Sequence, residues 1–315
     1  MATYVGDLIT EVRRDTDNED TEGISTEDFL RYMNFAQMRL QGLISSRGST
    51  LFRVEKIIPL VGTTSEYSID DNVYLGESIV DVQYSSSGLE QDYVEIREIA
   101  ESYRHRHNSS HPRAYTRRAG KILLPPSTNN YVGTLKVVYD RALDRLDLRR
   151  GQIDAVTESS LVITADTISL VDANEATRIN GVTDGWMCIQ SASGDVRAYN
   201  IVYASLDTNS PFTFTHIEHT MSEGESISIN DYITVGRYTT THLTTLSSPD
   251  VERYLQLYCM VKIFRRDSSS DATEAARELA AVEKALVENF QAVQRDEGNI
   301  QIDDPGMLLG SSDQW

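Results

Sequence analysis

Apolar residues recur at helical spacing near both ends of the chain and at strand spacing between them, so helix, strand and helix follow one another. Val5, Leu8, Ile9 and Val12 form one helical stripe, which stops at the polar run Asp15–Asp20. A second helix is expected from Ser25 or Thr26, where Glu27 and Asp28 suit the positive end of the helix dipole. Its apolar face is Phe29, Leu30, Met33, Ala36, Leu40, Leu43 and Ile44, and the two helices together predict an αα-hairpin. From Phe52 to Ala142 the pattern shortens to strand-like runs, RVEKIIPLV, ESIVDVQYS, GKILLPP and GTLKVVYD. A short helix from Val94 to about Tyr103 is expected between the second and third.

From Gly151 to about Thr245 the texture changes again. The runs SLVITA, GWMCIQ, VRAYNIVYA, PFTFTHIEH and ESISIND, broken by Gly, Asn, Asp and Ser, predict a small β-sandwich or barrel. Trp186 has apolar neighbours in GWMCIQ and is expected in the core of that module. Helix returns at Ser248, a good N-cap followed by Pro249, Asp250 and Glu252; Val251, Tyr254, Leu255, Tyr258, Val261 and Phe264 form its apolar face. After RRDSSSD a longer helix is expected over about 272–297, with Ala275, Leu279, Val282, Leu286, Phe290 and Val293 inward and Gly298 as its stop. Residues 299–315 have no periodicity but carry Ile300, Ile302, Met307, Leu308, Leu309 and Trp315, as an arm awaiting a partner would.

The expected fold class is therefore α+β. A helical-bundle core, built from the N-terminal αα-hairpin and two C-terminal helices, carries a small β-region and an inserted all-β sandwich or barrel module. The expected divisions are 1–150 (core helices and β-region), 151–245 (inserted β-domain), 246–298 (C-terminal helices) and 299–315 (arm).

Charge sharpens this picture. The chain carries a formal charge of −19, and residues 151–245 hold twelve Asp or Glu against three Arg and no Lys, a net of 3 − 12 = −9. A chain this acidic is a poor non-specific ligand for DNA, because phosphate binding relies on lysine and arginine displacing counterions. Cys188 and Cys259 sit in apolar contexts and share no motif, so both are expected as small buried hydrophobes. The start, MATYVGDLITEVRRD, lacks a basic region followed by an apolar one, so no secretory leader is expected. No apolar run approaches the roughly 20 residues of a membrane span, so no membrane partner is expected.

One stretch runs against the acidity. Ser102–Arg118 holds five arginines (Arg104, Arg106, Arg113, Arg117 and Arg118) and three of the six histidines, and no acid occurs from Ser102 to Tyr139. A metal reading of His105, His107 and His111 is weak, since Asn108–Ser110 and Pro112 break the helix that would align them and no acidic or cysteine ligand lies nearby. His216 and His219, three apart on a strand, would point to opposite faces. A nucleic-acid groove couples a basic track to several aromatics, and only Tyr103 and Tyr115 are interleaved here. The favoured reading is a subunit interface, in which these arginines meet carboxylates on another copy, head to tail.

Catalytic signatures are missing from the sequence: there is no phosphate-binding Gly-Lys-Ser/Thr loop, G-x-S-x-G elbow, H-E-x-x-H helix or G-x-G-x-x-G fingerprint. The chain is read as non-enzymatic, with no cofactor and no metal.

The layout resembles the head-to-tail adaptor (connector) proteins of short-tailed bacteriophages, the SU10-type adaptor family. The resemblance rests on DLITEVRRDT, ISTEDFLRYMNFAQMRL, SIVDVQYS through HPRAYTRRAGKILLPPS, TLKVVYD, and SSPDVERYLQLYCMVKIFRRD with the long helix after it. It covers about the first 150 and last 70 residues; the acidic β-insertion has no counterpart in it. It implies a structural virion protein that forms a dodecameric ring below the portal, extends the DNA channel and anchors the tail nozzle and fibres. DNA would pass without specific binding, and the C-terminal arm would clasp the portal. The protein would reside at the head–tail junction after assembly in the host cytoplasm. Two alternatives from other classes are a polysaccharide-binding protein acting through the β-module and, behind it, a cell-wall hydrolase, for which no carboxylate with a raised pKa is indicated.

Overall fold

Two serine caps start the helices that carry most of the core. The computed structural model describes residues 3–18, 23–47, 49–61, 64–69, 79–106, 111–118, 121–126, 131–159, 164–171, 185–203, 205–207, 212–215, 227–243 and 248–298. Helix α1 spans Val5–Asp15 and buries Val5, Leu8, Ile9 and Val12. Helix α2, Thr26–Ser45, begins where the Ser25 hydroxyl accepts the Asp28 N–H at 3.2 Å. Helix α3, Pro249–Arg266, begins where Ser248 accepts the Val251 N–H at 3.3 Å, with proline in the first turn. Helix α4 runs Asp271–Gly298. Phe29, Met33, Leu40, Tyr254, Leu255 and Cys259 are fully buried in one core, with Leu286 of α4 closing it. The four expected helices are present. The hairpin geometry is looser than the sequence suggests, because α1 packs chiefly against α3, and α3 joins it to α2.

Strand β1 (Thr3–Tyr4) precedes α1. The chain between α2 and residue 140 supplies β2 (Arg53–Pro59), β3 (Glu66–Ser68), β4 (Ile79–Ser85), β5 (Val94–Glu95), β6 (Arg97–Glu98), β7 (Ala114–Arg118), β8 (Lys121–Leu123) and β9 (Thr134–Asp140). They form two four-stranded sheets, in the orders β2-β9-β4-β5 and β3-β8-β7-β6. Ile58, Val82, Leu135 and Val137 of the first share a core with Tyr67, Tyr115 and Ile122 of the second. The small β-region is thus a two-sheet unit.

The helix expected over 94–103 is not formed. Those residues make β5, β6 and a 3-10 turn, Glu101–Arg106. The Ile96 N–H donates to the Val82 carbonyl at 2.9 Å and the Ile99 N–H to that of Tyr115 at 2.8 Å. Pairing to both sheets outweighs the local preference for helix, a routine outcome for short segments.

Strand β10 (Arg145–Leu146) leads into β11 (Gly151–Ser159), β12 (Thr164–Val171), β13 (Gly185–Gln190), β14 (Val196–Tyr203), β15 (Ser205–Asp207), β16 (Phe212–Thr215), β17 (Tyr232–Val235), β18 (Thr239–Thr240) and β19 (His242–Leu243). Strands β11–β17 make one antiparallel seven-stranded sheet, ordered β14-β13-β17-β11-β12-β16-β15. The module is β, as its composition suggests, but among the described residues its strands form a single open sheet, without the facing sheet of a sandwich or the closing pair of a barrel. It is tied back into the helical part twice: β18 pairs with β10, and β19 with β1. The helical core, the β-region and the β-module make the chain α+β.

Candidate interface site

Among the described residues of the basic stretch, the arginines divide by partner. Arg104 Nε donates to the Leu124 carbonyl at 2.7 Å. Arg117, on β7, grips the Glu98 carboxylate with two nitrogens, Nε to Oε1 at 2.8 Å, and reaches the Ile79 carbonyl. That hydrogen bond holds the Glu98 carboxyl below its ordinary range, against the opposing effect of burial. Arg118 lies 3.6 Å from Glu101. Arg106 stacks over the Tyr103 ring at 5.1 Å, both side chains exposed, and Arg113 is exposed. Acids immediately before the stretch therefore answer Arg117 and Arg118 within one chain, Arg118 while still largely exposed, and Arg106, Arg113 and half-exposed Tyr103 complete its outward face. His111 Nδ1 lies 3.3 Å from the Tyr84 hydroxyl, and His107 falls outside the described residues. No group of three or more His, Cys, Asp or Glu able to hold a metal occurs among the described residues.

A second constellation fixes the root of the β-module. Asn34, Gln37 and Gln41 stand at i, i+3 and i+7 on α2, where helical spacing stacks them on one face. Their amide nitrogens donate to the carbonyls of Leu146 (2.9 Å), Asp144 (2.7 Å) and Arg141 (2.8 Å). Their oxygens serve too: the Leu146 N–H donates to Asn34 and the Leu143 N–H to Gln41. Side chains of α2 thus satisfy backbone groups of a segment that otherwise pairs with β18 only at Arg145 and Leu146. Just beyond, Arg150 is 4% exposed and pairs with Asp147 (Nε to Oδ1, 2.9 Å) and Glu27 of α2 (2.9 Å). Asp147 Oδ2 also accepts the β17 N–H of Val235 at 2.9 Å. Arg149 lies between the rings of Tyr4 and Tyr232, at 4.5 and 4.2 Å, and donates to the Ala192 carbonyl. These residues were not singled out by motif. The available signal was three amides on the buried side of a helix and an Arg-Arg pair at a change of composition.

Cys188 and Cys259 are buried, as their contexts suggest, and burial pushes the Cys259 thiol pKa up. Trp186 departs from expectation: it is only partly buried, and the Arg237 guanidinium covers its ring at 3.8 Å. Met187 and Cys188 are fully buried while Trp186 keeps part of its surface in solvent, where a cation caps the ring. The arm residues Ile300, Ile302, Met307, Leu308, Leu309 and Trp315 lie outside the described residues, as do His216 and His219. No described helix is long and apolar enough to cross a membrane.

Both constellations lie largely within a span that a family comparison recognises. Residues 3–149 match the family model of the SU10 adaptor protein. Over that span, a little under half of the chain, the sequence is similar to the SU10-type phage adaptors. A search of curated proteins found no match. The matched span holds α1, α2, both four-stranded sheets, the basic stretch and the segment clamped by the amides. The adaptor family is one of structural phage proteins at the head–tail junction, which interact with portal and tail components. Helices α3 and α4 lie outside the match but complete the core on which α1 and α2 depend.

Proposed function

We propose that this protein assembles as a ring, dodecameric in the family pattern, below the portal of a short-tailed phage. There it continues the DNA channel and carries nozzle and fibre proteins. The family match over 3–149 carries this reading. The division of labour follows the chain: 1–150 with 246–298 as the ring-forming core, 151–245 as a peripheral β-module and 299–315 as the segment that reaches the portal. Arg106 and Arg113, exposed beside Tyr103, supply the cations through which one subunit meets acidic surface on the next, with Arg118 exposed beside Glu101 on the same face and Arg104 and Arg117 shaping it from within. A net charge of −19 suits a channel wall past which DNA slides without adhering. The test is mass by light scattering of the protein alone and mixed with its portal, with negative-stain images of the mixture. A ring that forms with the portal supports the reading; a monomer that ignores the portal overturns it.

A further inference from the structure

The junction between the N-terminal segment and the β-module closes around one histidine. His242 of β19 is 4% exposed and pairs with Tyr4 of β1, whose ring lies 5.5 Å from its own. The turn between β13 and β14 also presses on the ring: at Gly194, φ +92°, a β-carbon would come within 2.4 Å of the imidazole. A buried amide fixes where the ring carries its proton. Gln190 is fully buried; its Nε2 donates to the Thr239 carbonyl at 2.7 Å, and its Oε1 accepts the Thr241 N–H and the Thr241 hydroxyl, each at 2.8 Å. The hydroxyl has one proton and Gln190 takes it. The 2.7 Å contact between Thr241 Oγ1 and His242 Nδ1 therefore needs Nδ1–H as the donor. A second proton can arrive only at Nε2, and it makes the ring a buried cation.

Among the described residues, charged groups from three parts of the fold act on that cation. Arg149, ahead of β11, lies over the same Tyr4 ring at 4.5 Å and repels it, while Asp7 of α1 and Asp195 of the β13–β14 turn attract it. Burial and Arg149 outweigh the two carboxylates, so the closed junction takes up a proton less readily than an open one. The ties at this junction are short. Strand β1 meets β19 over two residue pairs, continued by the Val5 N–H on the Thr241 carbonyl at 2.9 Å. Outside β19, β1 is held by the Thr3 hydroxyl on Glu252 of α3 and by Arg149 on Tyr4. The rest of the module root hangs on Arg150, Asp147 and Glu27 and on the amides of α2, none of which involves β1. We propose that His242 is a latch: protonation of its ring releases β1 from β19 and uncouples the N-terminal end from the β-module, while the helical core stays closed. A two-residue pairing at a chain end is the kind of element that opens locally, well below the cost of global unfolding.

The test is residue-resolved hydrogen exchange of the full-length chain from pH 7.5 to 5.5, with and without low urea, after correction for the intrinsic pH dependence of exchange. The Val5 amide is expected to lose protection about five- to tenfold over that range, because the open junction binds a proton near pH 6.5 and the closed one only at lower pH. Low urea should leave exchange at Val5 unchanged, as a local opening exposes little surface. The amide of Leu40, fully buried in α2, should respond to urea as global unfolding does. In His242→Gln the pH dependence at Val5 is expected to vanish. Protection at Val5 that stays level from pH 7.5 to 5.5 overturns the latch. So does exchange at Val5 that follows urea as steeply as Leu40, which would make the histidine a contributor to global stability alone. If His242→Gln does not fold, the parent chain by itself decides between these outcomes.

Discussion

Arg150 carries its charge almost wholly out of water, and its value lies in what it leaves satisfied. Asp147 beside it is 6% exposed and also holds the Val235 N–H, so removal of the guanidinium strands a buried carboxylate. Breaking such a pair from one side costs about 3–5 kcal/mol. Arg150→Ala is expected to lose stability on that scale in urea titration, whereas Arg113→Ala, on the exposed face, stays within about 0.5 kcal/mol of the parent. His242 gives a pH signature. It is 4% exposed, with Nδ1 2.7 Å from the Thr241 hydroxyl; burial, then Arg149, pull its pKa below the ordinary histidine value, while Asp7 and Asp195 oppose them. The unfolded chain takes up a proton near pH 6.5 that the folded chain refuses, so stability falls as pH drops below about 6.5. The loss ends once pH passes the lowered folded value. His242→Gln should flatten that part of the stability–pH curve relative to the parent, as measured by denaturant midpoints between pH 7.5 and 5.5.

At the level of elements, Gly133 shows how a single position holds the first sheet in register. Its φ is +120°, and a β-carbon there would come within 2.2 Å of the Ser85 carbonyl oxygen, backbone that cannot swing aside. Its own carbonyl accepts the Leu60 N–H at 2.9 Å, joining the ends of β2, β4 and β9. Gly133→Ala is expected to destabilise by about 1–3 kcal/mol, read as a lower melting temperature, because both the dihedral and the contact are strained. This is also where local sequence signals stop. The helices were legible because their caps and stripes are local: Ser25 and Ser248 cap where expected, and Leu8, Phe29 and Tyr254 point inward. Strand β7 was hidden inside the basic stretch, because Thr116 is buried among polar-looking neighbours and its partners lie at Glu98 and Leu123. The two-residue pairs β1–β19 and β10–β18 have no local signature at all; each joins residues about a hundred or more apart. The candidate interface was legible as an arginine cluster, but which arginines face outward depended on Glu98 and Glu101, and that was not.

At the scale of the whole molecule, the charge imbalance and the division between inner and outer arginines make opposite demands on one experiment. Subunits carrying −19 repel at low salt unless local cations meet carboxylates across the contact. If Arg106 and Arg113 supply them, Arg106→Glu with Arg113→Glu weakens assembly on the portal and leaves the melting temperature near that of the parent. Arg117→Glu does the reverse: it faces Glu98 with a like charge and strips the Ile79 carbonyl of a donor, so it lowers the melting temperature even in the monomer. Light scattering and thermal melting on the same samples separate the two effects, and equal behaviour of both variants argues against the outward face as interface. Truncation after Gly298 adds the third term. Among the described residues the core apolar side chains all precede that point, so the shortened chain is expected to keep its fold and its subunit contacts, while attachment to the portal is lost if residues 299–315 make it. Co-sedimentation with the portal checks this directly: retention of the truncated chain at parental levels would place the portal contact on the folded body instead.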